Sequence, residues 1–84
     1  MKLWLLEPRE SILDLNPKEN PWYHVYDLHW GYVIRAETEE KARHIAAERG
    51  TDERRGWLSS EYSTCVELFA DGEEGVILDD YRAG

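Results

Sequence analysis

The stretch "AETEEKARHIAAERG", at positions 36–50, constrains the fold more than any other part of this sequence. Thr38 is a residue type that caps helix N-termini, and the two glutamates after it lie where the helix dipole favours negative charge. Gly50 stands where a helix commonly ends, at the C′ position. The pattern therefore predicts a helix at about 39–49.

This helix is predicted to be amphipathic and to lie close against a sheet. Glu39 precedes Arg43 by four residues, an orientation that favours an ion pair. One face, at the 3.6-residue period, carries Ala42, Ile45, Ala46 and Arg49. The apolar side chains of this face are mostly alanine, so the helix axis can approach its neighbours closely.

The rest of the chain is rich in β-branched and aromatic residues, which favour strands. Tyr32, Ile34 and Ala36 alternate with Val33 and Arg35, so the two sets are expected on opposite faces of a strand. The predicted strands are Lys2–Leu6, about Tyr23–Leu28, Tyr32–Glu37, "CVELF" and "GVILDDY", the last two joined as a hairpin by "ADGEEG". An alternative for "TCVEL" is a helical turn with a Thr64/Glu67 capping box.

The connections carry smaller signals. "EPRESILDLNPKENP" is predicted to be a long surface connection with one helical turn at "ESILDL", held to the core by Ile12 and the leucines. Trp57 and Leu58 are both expected in the core. A chain of 84 residues supports one modest core. The predicted fold is therefore a single α+β domain, 1–84, with a small, mostly antiparallel sheet of four to five strands and one amphipathic helix packed on one face.

The run "GWLSSEYSTCVEL" concentrates nucleophile-type side chains, including the single cysteine, Cys65. A nucleophile needs an oriented base, and no nucleophile elbow or glycine-rich oxyanion loop accompanies this run. We interpret it as a turn of hydroxyl residues followed by a buried cysteine that begins a strand. No catalytic residue is predicted, and the protein is expected not to be an enzyme.

Metal and cofactor signals are weak. His24, Asp27 and His29 could be ligands, but on one strand the two histidines would point to opposite faces. The sequence contains no phosphate loop, dinucleotide fingerprint or calcium loop. We therefore predict neither a metal nor a cofactor. The single cysteine favours a reducing compartment, and the short apolar run near Lys2 fits neither a secretion signal nor a membrane span, so we expect a cytoplasmic protein.

Charge is concentrated late in the chain. The net charge is −8, and the last 24 residues hold seven carboxylates and one arginine. Direct binding to nucleic acid or to an anionic membrane is therefore disfavoured. The carboxylates either form a solvated surface or recognise a basic surface of a protein partner. The candidate partner-binding acids are Asp71, Glu73, Glu74, Asp79 and Asp80.

Aromatic residues are crowded between positions 22 and 32, where five of the ten in the chain lie. Tryptophan and tyrosine are common interface anchors, but they also build the cores of small sheets. Alternation should bury about half of them and leave Tyr23 and Trp30 outside. The candidate anchors for a partner are Trp22, Tyr23 and Trp30.

From Tyr32 onward the chain resembles a group of small proteins of bacteria and their phages. The pieces that carry the resemblance are "VIRAETEEKARHIAAERG", "WLSSEYSTCVEL" and "GEEGVILDDYRAG", in that order. The resemblance implies a compact α+β domain and a phage context, and it transfers no reaction, cofactor or catalytic residue.

Together these features predict a small acidic, non-enzymatic binding protein. The sharper hypothesis is a phage-encoded, anti-CRISPR-like inhibitor that occupies a basic nucleic-acid-binding surface of a host protein complex. The alternative is a stand-alone adaptor or small-molecule-binding domain that uses the aromatic cluster at 22–32. The oligomeric state stays open.

Overall fold

The computed structural model describes residues 1–23 and 28–79, and in them one main helix packs on an antiparallel sheet. Three strands are found in these residues, in the order β2-β1-β3. The coarse α+β prediction is confirmed. The elements in chain order are β1 (Lys2–Pro8), a 3-10 helix (Glu10–Asp14), β2 (Tyr32–Ala36), α1 (Glu39–Arg49), α2 (Arg54–Leu58) and β3 (Ser63–Leu68).

Strand β1 is central, and its register assigns each side chain to one face of the sheet. Trp4 pairs with Ile34, and Leu6 pairs with Tyr32 on β2 and Cys65 on β3. These side chains point to the inner face, where the helices lie, and Leu6 is fully buried. Val33 and Arg35 are exposed on the other face, so the predicted alternation of β2 is confirmed.

The predicted hairpin after β3 is wrong in its second half. "CVEL" lies in β3, which excludes the helical turn at "TCVEL", and Phe69 follows the strand. Residues 75–79 are irregular and exposed. Seven residues separate Leu68 from Val76, too many for the tight turns that fix hairpin register. Leu78 instead lies against the side of the sheet opposite the helices. The four to five strands predicted are therefore not found in the described residues, and most of the strand predicted at 23–28 falls on positions 24–27, outside them.

Helix α1 has the predicted bounds and N-terminus. Thr38 Oγ1 accepts a hydrogen bond from the Lys41 amide at 3.2 Å. The Gly50 amide donates to the Ala46 and Ala47 carbonyls, but its φ of −63° is not left-handed. Glycine fits there because a Cβ would lie 3.2 Å from both the Ala46 carbonyl oxygen and Arg54 Cα.

The buried face of α1 differs from the prediction by one position. Ile45 is 38% exposed and Arg49 is exposed, while the buried residues are Ala42, Arg43, Ala46 and Ala47. Arg43 is buried because its guanidinium finds hydrogen-bond acceptors on α2 and β3. The hydrogen-bond partners of Arg43 therefore help to decide which face of α1 is buried. That face is offset by one position from the apolar face predicted from the sequence.

Trp57 is the centre of the core and is fully buried, as predicted. Its ring contacts Trp22 and Tyr32 edge to face, at centroid distances of 5.0 and 5.2 Å. Ile12, from the predicted helical turn, is buried in the same core. Leu58 is half exposed, contrary to prediction, because α2 turns it away from the face that carries Trp57.

Gly56 provides a test of this packing. A Cβ at Gly56 would lie 2.5 Å from Trp22 Cζ3 and 3.1 Å from Pro21 Cβ. Overpacking of this kind lowers the free energy of unfolding by about 1–3 kcal/mol. Alanine is favoured over glycine in a helix by only about 1 kcal/mol, so the clash should dominate. We expect Gly56→Ala to lower the urea midpoint clearly. Gly72→Ala is the matched control, since a Cβ there meets nothing within 4 Å; equal midpoints for the two variants would contradict the packing described.

Candidate interaction surface

Two buried charged side chains, Glu53 and Arg43, connect the loops and helices around the sheet. The first is Glu53, which is fully buried. It accepts hydrogen bonds from the His29 and Thr51 backbone amides, and His29 Nδ1 lies 3.1 Å from its Oε1. Burial opposes ionisation of Glu53, but these hydrogen bonds outweigh it and hold the pKa of its carboxyl below the usual value.

The His29 contacts set the position of its neighbour Trp30. Trp22 Nε1 donates to the His29 carbonyl at 2.9 Å, and the Trp22 and Trp30 rings are 6.3 Å apart. The His29 ring stacks on Tyr32 at 5.0 Å. Burial, and secondly the Glu53 carboxylate, raise the pKa of Tyr32. Trp30 is thus held just before β2 by the hydrogen bonds of the adjacent His29 and by the nearby Trp22 ring.

The second buried group is Arg43. Its Nε donates to Glu39 at 2.9 Å, which confirms the predicted i,i+4 pair. Its Nη1 donates to the Trp57 carbonyl and to Ser63 Oγ, and its Nη2 donates to the Ser63 carbonyl. One side chain therefore joins α1 to the end of α2 and to the start of β3.

The face of the sheet opposite the helices is apolar, and we call it the open face. Its aliphatic side chains come from all three strands: Leu3, Leu5, Val33, Val66 and Leu68. Val33 and Val66 are each 56% exposed. In the described residues no helix or strand packs over this face. Its charged members are Glu7 and Arg35, for which no ion pair is found within the described part of the chain.

Residues 69–79, which we call the C-terminal segment, continue from β3 towards the open face. Leu78 lines a hollow of about 270 Å³ together with Leu5, Val33 and Trp30. No backbone hydrogen bond joins residues 70–79 to the rest of the described chain. The segment therefore lies beside the open face at Leu78 without pairing to a strand.

The candidate acids lie mostly on this segment. Asp71, Glu73, Glu74 and Asp79 are exposed, and within residues 1–23 and 28–79 none of them forms an ion pair. Asp80 lies outside the described residues. The predicted hairpin that would hold these acids rigidly is absent from 69–79, so the acids share an irregular segment.

Tyr23 and Trp30 are exposed as predicted, although neither lies in a strand, so alternation is not the reason. Tyr23 and Trp30 are 41% and 40% exposed. Trp22 is only 5% exposed, because its ring packs on Trp57 and its indole N–H is hydrogen-bonded. Trp22 is therefore a core residue, and its prediction as a surface anchor is wrong. Trp30 shares the hollow with Leu78, while the backbone contact of Tyr23 is to Asn20.

Cys65 lies on the inner face and packs against the core. Burial raises the pKa of its thiol, which keeps the sulfur protonated and weakly nucleophilic at neutral pH. His29 is engaged by Glu53, and His24 lies outside the described residues. Within the described ranges no three His, Cys, Asp or Glu side chains are grouped so that they could hold a metal ion.

The open face is the feature that sequence reasoning missed, although β1 contains a signal for it. In "KLWLLE", both alternating sets of side chains are apolar, Trp4 and Leu6 on one side and Leu3 and Leu5 on the other. A strand with one solvated face normally alternates apolar and polar residues. The continuous run indicates that both faces of this sheet are apolar.

No helix in the described residues is long and apolar enough to cross a membrane. Comparisons with protein-family models, with curated proteins and with solved structures found no match to this chain.

Proposed function

We propose that this chain is a small acidic, non-enzymatic binding protein that docks on a basic surface of a protein partner. One observation carries the proposal. The C-terminal segment combines four carboxylates that form no ion pair in the described chain with the exposed apolar residues Val76 and Ile77, which are 80% and 71% exposed. Apolar anchors beside unpaired charges are suited to a partner that supplies lysines or arginines around an apolar contact.

The finer version of the proposal is an inhibitor that occupies a nucleic-acid-binding groove, as a phage-encoded, anti-CRISPR-like protein would. Grooves of this kind are lined by cations that otherwise contact phosphates. A carboxylate-rich segment competes for the same cations, and it steers association through long-range attraction that salt weakens. Binding of this chain to the groove and binding of nucleic acid to the same groove should therefore be mutually exclusive.

The alternative, a small-molecule binder that uses the aromatic cluster, is supported less well. Trp22 and Tyr32 pack on Trp57, and of the aromatic cluster's described members only Trp30 and Tyr32 line a hollow. The hollow beside Trp30 is about 270 Å³, which is below the roughly 300–1,000 Å³ typical of small-molecule sites.

Reversing three charges of the segment tests the proposal. We expect Glu73→Lys/Glu74→Lys/Asp79→Lys to reduce by tenfold or more the basic proteins captured from a nuclease-treated bacterial lysate at about 0.1 M salt. Capture by the native chain should fall at about 1 M salt, and added nucleic acid should release the captured proteins. The fold should be retained, because all three side chains are exposed; circular dichroism checks this.

The matched control reverses three exposed carboxylates elsewhere, Glu10→Lys/Asp14→Lys/Glu19→Lys, and so changes the net charge equally. If the partner recognises the C-terminal segment, this control variant should capture the same proteins as the native chain. Equal loss in both triple variants would mean that net charge alone attracts the partners, and capture insensitive to salt and to nucleic acid would reject the groove-directed proposal.

A further inference from the structure

The open face and the C-terminal segment together expose a large apolar area. Phe69, Val76, Ile77 and Leu78 add exposed fractions of 73%, 80%, 71% and 50% to the half-exposed valines of the sheet. With about 100 Å² for a fully exposed aliphatic side chain and about 200 Å² for an aromatic one, including Trp30, the total is about 540 Å². This reaches the upper end of the range for apolar patches on monomers.

That area is what one side of a dimer interface needs. A standard interface buries about 800 Å² on each partner, and about 65% of a homodimer interface is apolar. Sheets also pack well face to face, with their strands nearly aligned. A second copy of this chain offers the same apolar sheet and therefore a complementary surface.

The two charges of the open face select one arrangement of the copies. Arg35 lies opposite Leu3 of β1. Glu7 is four residues after Leu3 on the same strand and points to the same face, so Glu7 and Arg35 are roughly 13 Å apart along the strand direction. A two-fold axis between the sheets and perpendicular to the strands brings Arg35 of one copy beside Glu7 of the other. An axis parallel to the strands would instead place the two Glu7 side chains against each other.

We propose that the open face is the interface of a homodimer with this perpendicular axis, formed when salt screens the repulsion between the copies. Each chain carries a net charge of −8, and Asp79 directly follows Leu78, which lines the hollow on this face. The Debye length is about 10 Å at 0.1 M salt and about 3 Å at 1 M. Association therefore strengthens with salt, the opposite of the partner binding proposed above, on which this inference does not depend.

Sedimentation of the full chain at about 0.1 M and about 1 M sodium chloride tests the proposal. We expect the 9.9 kDa monomer at low salt and twice that mass at high salt. A monomer at both concentrations would overturn the proposal.

Val66→Lys tests the location of the interface. It should raise the dimer dissociation constant tenfold or more, because it places an unpaired cation in the buried area. The matched control, Ile45→Lys, changes the charge equally on α1, whose residue 45 is 38% exposed; it should leave the dimer intact. A dimer that Val66→Lys does not weaken would overturn the assignment of the open face.

A charge swap tests the axis and also guards against misfolding of the valine variant. Glu7→Arg alone changes the net charge from −8 to −6 and so reduces the overall repulsion. It should nevertheless weaken the dimer, because it places two arginines together. Adding Arg35→Glu should restore the native dissociation constant. Failure of the double variant to recover would overturn the perpendicular arrangement.

Discussion

Replacing Arg43 with methionine is expected to lower the free energy of unfolding by about 3 kcal/mol, because several buried acceptors lose a charged donor, each such hydrogen bond being worth about 1.5–3 kcal/mol. The guanidinium has acceptors on Glu39, on the Trp57 carbonyl and on both oxygens of Ser63. Methionine fills the space but leaves the backbone acceptors at positions 57 and 63 without this donor. For a domain whose stability is on the order of 5–15 kcal/mol, the loss is a large part of the total.

Urea unfolding at neutral pH measures the effect, and two controls separate its causes. Arg49→Met makes the same substitution at an exposed position of the same helix and should change stability by no more than about 0.5 kcal/mol. Glu39→Gln removes only the half-exposed partner and should cost no more than about 1 kcal/mol. If Arg43→Met were no more destabilising than Arg49→Met, the three elements would not be held together by this side chain.

Sequence reasoning located most of the regular elements because their signals are local, but it did not predict the short helix α2. The cap at Thr38, the Glu39–Arg43 spacing and the alternation around Ile34 each lie within a few residues of the chain. Three strands, the 3-10 turn and α1 were predictable for that reason. The burial of Arg43 was not, since its acceptors lie 14 and 20 positions away in the chain.

The hairpin prediction failed for a related reason. "GVILDDY" has the composition of a strand, but composition does not say whether its aliphatic residues pair at a sheet edge or pack on a sheet face. In the structure Leu78 lines a hollow on the apolar open face together with Leu5 and Val33. The candidate acids were predictable as exposed residues from their type alone, whereas the surface beside them depends on the register of all three strands.

Acid is expected to destabilise the protein through Glu53. Its pKa in the folded state is lowered, because hydrogen bonds from the His29 and Thr51 amides outweigh the opposing effect of burial. The ionised carboxylate therefore stabilises the fold above the ordinary glutamate pKa of about 4.3, and this stabilisation is lost as the pH falls through the lower folded pKa. We expect the free energy of unfolding to decline from about pH 4 downward.

Glu53→Gln isolates this contribution. At neutral pH the variant should be less stable by about 3 kcal/mol, because the amide nitrogen accepts no hydrogen bond and must face donors that the second carboxylate oxygen satisfied. The difference between the native chain and the variant should shrink as the pH falls below about 4, since the native carboxylate is then neutralised as well. Glu74→Gln, at an exposed carboxylate that forms no ion pair in the described chain, should leave both the neutral stability and the acid slope unchanged. Parallel pH profiles for the native chain and Glu53→Gln would show that the buried carboxylate is not ionised in the folded protein, and the loop that positions Trp30 would then need another anchor.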